Sequence, residues 1–68
     1  MEELSFLVEN ALEGGYTARA LEASIFTEAD DEDEMRSRVR NAVRCHFVEG
    51  QVPRVIRLHF VREEIIAA

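Results

Sequence analysis

Sixty-eight residues, 47% hydrophobic and 32% charged, make one small domain (1–68) and leave no room for a cofactor-binding domain beside a substrate-binding one. A formal net charge of -6 argues against general nucleic-acid binding, which needs clustered cations, and the apolar fraction is too high for a disordered chain. No apolar run approaches the ~20 residues of a membrane-spanning helix, and the acidic start Met1-Glu2-Glu3 lacks the basic flank of an export signal, so no membrane partner and a cytoplasmic location are expected.

Leu4, Phe6 and Val8 alternate with Ser5, Leu7 and Glu9, the period of a half-buried first strand. Asn10 to Gly15 supplies turn chemistry, with Gly14 and Gly15 free to take positive φ, and Tyr16 to Leu21 alternates again. The two strands form a hairpin. A short third strand is expected over Ser24 to Thr27, around Ile25 and Phe26. The acidic segment Asp30 to Glu34 then precedes Met35, Val39, Ala42, Val43 and His46, apolar or neutral side chains at helical spacing. A helix from Glu32 to Glu49 follows, with Asp31 capping its first turn and Glu34 reaching back in a capping box. Gly50 is the expected left-handed residue after its end, and Pro53 lies beyond. In the last strand Ile56, Leu58 and Phe60 point one way, and Val55, Arg57, His59 and Val61 the other.

The order is β-β-β-α-β, an α+β fold with a four-stranded mixed sheet and one helix on one face. The helical crossover makes the third and fourth strands parallel within one sheet. One helix covers one face, so the other, carrying Leu7, Leu21, Val55 and Val61 beside Arg57 and His59, stays partly apolar. A domain this short buries only about 60% of its unfolded surface, and the lone Cys45 excludes a disulfide within one chain. A homo-oligomer, dimer or tetramer, sealed through that outer face is therefore expected, with Ile65 and Ile66 of the tail joining it.

Charge is distributed unevenly. Up to Glu34 there are 11 acids and one base, Arg19, whereas from Met35 onward seven arginines face three acids. Such polarity favours self-complementary association and attracts a basic partner to the acidic end. All eight cations are arginine, a bias that fits either a GC-rich genome or a use for forked, bidentate pairing.

Gly14-Gly15-Tyr16-Thr17-Ala18, then Ile25-Phe26-Thr27, then Ala29-Asp30-Asp31-Glu32-Asp33-Glu34-Met35 opening a helix, resembles the HicB-like antitoxin family over nearly the whole chain. The resemblance implies a partial RNase H-like sheet whose last strand runs parallel to the first. It also implies a bacterial binding module that associates with itself and sequesters a small basic HicA-like RNA-cleaving toxin. Two departures stand out. Leu21-Glu22-Ala23-Ser24 replaces the family's leucine-proline-glycine step, and the segment after Val61 is too short for a helix-turn-helix or ribbon-helix-helix, so operator binding is not expected.

The run Glu28 to Glu34 has two readings: a phosphate mimic facing a basic partner through Asp30, Asp31, Glu32, Asp33 and Glu34, or a solvated helix end explained by capping and dipole alone. Glu3, Glu9 and the helix carboxylates invite comparison with an RNase H-like hydrolase. Two-metal chemistry, however, needs converging acids on central strands, where the last strand offers Arg57 and His59. Cys45 and His46 point about 100° apart on the helix and cannot chelate one ion together. Cys45 lacks a base, His46 falls in the apolar stripe as a core histidine, His59 lines the outer face, and Tyr16 packs with its hydroxyl in solvent. No catalytic, cofactor or metal site is assigned. The chain is expected to be a non-enzymatic binding module, with a degenerate or active hydrolase and an oligomeric scaffold as the alternatives.

Overall fold

The computed structural model describes residues 2–68. It contains β1 (Glu3–Asn10), β2 (Tyr16–Ala20), β3 (Phe26–Ala29), α1 (Glu32–His46) and β4 (Val55–Phe60), the expected β-β-β-α-β order. The sheet runs β3-β2-β1-β4. β1 pairs antiparallel with β2 and parallel with β4, and β2 pairs antiparallel with β3. β3 and β4, at opposite edges, therefore run parallel.

β1 is the spine of the core. Its inward residues Leu4, Phe6 and Val8 are fully buried, and Met35, Val39 and Val43 descend on the sheet from one stripe of α1. Ala18 and Ala20 floor β2, and these small side chains leave room for the helix, whose close approaches are to β3 and β2. Ile56 and Leu58 on β4 are only partly buried against this cluster.

The hairpin closes through residues 11–15, where the Ala11 N–H donates to the Gly15 carbonyl at 3.0 Å and the Gly14 N–H donates to the Ala11 carbonyl at 3.1 Å. Gly15, at φ +77°, sits so near the end of β3 that a Cβ would lie 2.6 Å from the Ala29 carbonyl oxygen.

Four boundaries differ from the sequence reading, among them the end of the second strand, at Ala20 rather than Leu21, and the end of the third, at Ala29 rather than Thr27. The third strand begins at Phe26 rather than Ser24, because Ile25 turns its side chain into the core while its carbonyl accepts the Ala20 N–H at 2.9 Å. Pairing then starts with Arg19 opposite Phe26, which directs Phe26 outward. The helix stops at His46, not Glu49. Phe47 is an extended C-cap (φ -99°, ψ 146°) whose N–H donates to the Val43 carbonyl and whose ring packs against the core. Gly50 does adopt positive φ, but in a separate turn in which the Gln51 N–H donates to the Val48 carbonyl.

Past Phe60 the Val61 N–H donates to the Val8 carbonyl at 2.8 Å, extending the ladder by one bond, and residues 61–68 then run on outside any helix or strand. Among the described residues no helix is long and apolar enough to cross a membrane.

Candidate functional site

The molecule presents three surfaces rather than an enclosed site. At the first, the start of α1, Asp31 is extended (φ -141°, ψ 175°) and its Oδ1 accepts the Glu34 N–H at 2.7 Å. Only half of the expected capping box forms, because the Glu34 carboxylate turns forward to Arg38 Nε at 2.8 Å. Arg36 bridges Asp33 at 2.8 Å and Glu32 at 3.4 Å. The Tyr16 ring packs against the core, and its solvent-exposed hydroxyl donates to Glu32 at 3.5 Å. Asp30, Asp31, Glu32, Asp33 and Glu34 are thus gathered at one end of the molecule. Beside them the hairpin turn and helix enclose a shallow cleft of about 200 Å³, with Glu28, Asp30, Glu34 and Tyr16 around it and Arg38 as the one cation among the described residues that line it.

The second surface is the sheet face away from the helix. Its register aligns Phe26, Arg19, Leu7 and His59 in a row across all four strands. Val55, Arg57 and His59 lie on this face, Leu21 and Val61 continue it beyond β2 and β4, and Leu7 is half-buried among them. Phe26, 61% exposed, is the largest apolar group there. The adjacency of Ile25 and Phe26 was the legible signal, since neighbours in a strand point to opposite faces. Arg57 donates to Glu3 at 2.8 Å. That hydrogen bond holds the Glu3 carboxyl below the usual carboxylate range; partial desolvation opposes the shift, and the charges of Arg57 and His59 add to it. Arg57 is correspondingly raised.

The third surface is a groove of about 480 Å³ between α1 and β4. Val39, Val43, Val52, Pro53, Ile56 and Leu58 form its apolar floor, and Arg36, Arg40, Arg44 and Arg54 stand along it. It exists because the helix sits over β2 and β3 and leaves the β4 side of the inner face uncovered. Arg36, Arg40 and Arg44 recur every four residues, a helical row visible in the sequence.

One side chain takes a different place from that expected. His46 is exposed, edge-on to Phe47 at 5.0 Å, and not a core histidine. Cys45 is a free, exposed thiol. Glu3 and Glu9 lie on the sheet face away from the helix, so they do not converge with the helix carboxylates. Among the described residues no three His, Cys, Asp or Glu side chains group as metal ligands would.

These features define a small α+β domain of one sheet and one helix whose chemistry lies on open, charged surfaces. The chain belongs to the UPF0150 family. It is 52% identical over 50 residues to a UPF0150 protein of Archaeoglobus fulgidus, 74% of each chain, and 35% identical over 66 residues to one of Thermotoga maritima, 97% of this chain and 93% of that one. No family model and no solved structure matches the chain.

Proposed function

We propose that this protein is a non-enzymatic, HicB-like binding module that associates with itself and sequesters a small basic protein, a HicA-like RNA-cleaving toxin, at its acidic end. The observation that carries this reading is the concentration of Asp30–Glu34 around the cleft of Glu28, Asp30, Glu34 and Tyr16. A guanidinium or ammonium group entering there meets three carboxylates, and the aromatic ring adds a cation–π face. The ion pairs of Arg36 and Arg38 with the helix acids are partly exposed, so a partner's cations can displace them at small cost. An RNA-binding protein exposes cations to hold phosphates, and an acidic surface competes for those cations. The order of motifs from Gly14 to Met35 and the parallel pairing of β4 with β1 support the same reading.

Affinity purification of the tagged chain from its native host, with any small basic protein that accompanies it identified by mass spectrometry, tests it. Co-purification at physiological salt is expected, and Glu28→Lys with Asp30→Lys weakens it by about tenfold or more. Failure to recover any basic partner even at low ionic strength removes the antitoxin reading. The hydrolase alternative is tested separately with labelled RNA and magnesium, where no metal-dependent cleavage is expected.

A further inference from the structure

The groove between α1 and β4 combines an apolar floor with a basic row. Arg36 is partly occupied by Glu32 and Asp33, and Arg54 meets Glu2 at 3.6 Å, but Arg40 and Arg44 form no ion pair among the described residues. An extended segment with carboxylates next to aliphatic side chains would complement such a surface. This chain carries such a segment: Glu63-Glu64-Ile65-Ile66. There Ile65 is 96% exposed and Ile66 78% exposed, isoleucines placed where water gains nothing from them. The arm holding them stands clear of the body. The radius of gyration is 13.3 Å, against about 11 Å for a compact chain of this length.

We propose that residues 62–66 of one copy dock into the arginine-lined groove of a second copy, with Ile65 and Ile66 on the floor of Val39, Val43, Ile56 and Leu58 and Glu63 and Glu64 against Arg40 and Arg44. The arm is poorly placed to serve its own groove. The Val61 N–H bond to Val8 carries the chain onward in the direction of β4, away from the groove, which lies back along residues 52–58. Returning there requires a reversal at Val61–Arg62, and residues 61–68 contain no Gly, Asn or Asp, the residues that favour one. A wider loop uses up the arm before the isoleucines reach the floor. A neighbour meets no such restriction, and β4 is an edge strand whose free N–H and C=O groups can pair with an extended segment laid beside it. Reciprocal exchange buries both arms about a two-fold axis. This inference goes beyond the basic-partner reading and is independent of it, since the groove and the acidic cleft share no residue.

Complementary charge reversal in the full chain tests the exchange. Glu63→Arg with Glu64→Arg, and separately Arg40→Glu with Arg44→Glu, each set like charges against one another in every copy. Sedimentation equilibrium, with helix content checked by circular dichroism, is expected to show a wild-type dimer. Each variant alone should associate about tenfold more weakly or worse, shifting toward the 7.8 kDa monomer. An equimolar mixture of the two should recover the dimer, because each arm then meets a groove of opposite charge. If the groove variant fails to fold, Ile65→Asp with Ile66→Asp, confined to exposed positions, carries the test and must also weaken association. A monomeric wild type at millimolar concentration, variants that associate as the wild type does, or a mixture that stays monomeric each overturns the proposal. So does association that survives both reversals and is lost on Leu7→Arg, which assigns the contact to the outer sheet face.

Discussion

Gly15 is held to glycine by two separate constraints, its positive φ and the Ala29 carbonyl oxygen 2.6 Å from where a Cβ would stand, whereas Gly14 has only the first. Gly15→Ala is therefore expected to cost about 1–3 kcal/mol, and Gly14→Ala about 1 kcal/mol, in urea denaturation; equal costs would contradict the close approach. Asp31→Ala removes the cap on Glu34 and is expected to cost about 1 kcal/mol. The Glu3–Arg57 pair gives a pH signature. Because the Glu3 carboxyl is depressed on folding, its contribution to stability is fully present above the ordinary carboxylate pKa and is lost as pH falls through the lowered folded value. Arg57→Gln should raise the Glu3 midpoint in an NMR titration, and an unmoved midpoint would show that the guanidinium is not the cause. At this scale the Gly-Gly turn and the Asp31 cap were legible because both act through their immediate neighbours. His46 was not. By angle it falls in the stripe of Met35, Val39 and Val43, but a 15-residue helix is about 22 Å long and the four-residue strand beneath it about 13 Å, so the last turn overhangs the sheet.

The elements followed from periodicity wherever one face is buried. β1 alternates buried and half-buried side chains along Glu3–Glu9, and α1 sets its three buried residues four apart. Their boundaries depended on tertiary competition that periodicity does not contain. Ile25 leaves the ladder to fill the core, and Phe47 ends the helix by packing beneath it. The outer face was placed correctly from alternation, but Phe26 joined it only once the β2–β3 register was set by that swap. The groove was hidden for a related reason: whether one helix covers four strands or two depends on the small Ala18 and Ala20 beneath it, a matter of volume rather than pattern. Energetically the elements meet at Phe6, fully buried on the central strand. Phe6→Ala is expected to cost about 3–5 kcal/mol, comparable with the ~3–10 kcal/mol total of so short a domain, and a cooperative thermal transition should disappear. A retained sharp transition would mean that the core closes over the vacancy.

At the scale of the whole molecule, acids lie around the start of α1 and arginines run beside β4, so added salt should weaken both proposed contacts while leaving the apolar core intact. Sequence alone showed that polarity and the shortage of interior, yet not where the shortage falls, because the uncovered strip on β4 emerges only from the seating of the helix. The parallel pairing of β1 with β4 also governs how the protein is born. β1 ends at Asn10 and β4 begins at Val55, so the central strand leaves the ribosome with one flank bare and waits for 44 intervening residues before its second neighbour arrives. The β1–β4 ladder consequently cannot form until Val55–Phe60 have emerged, and a nascent chain stalled before Arg54 has emerged should remain sensitive to protease and attractive to chaperones.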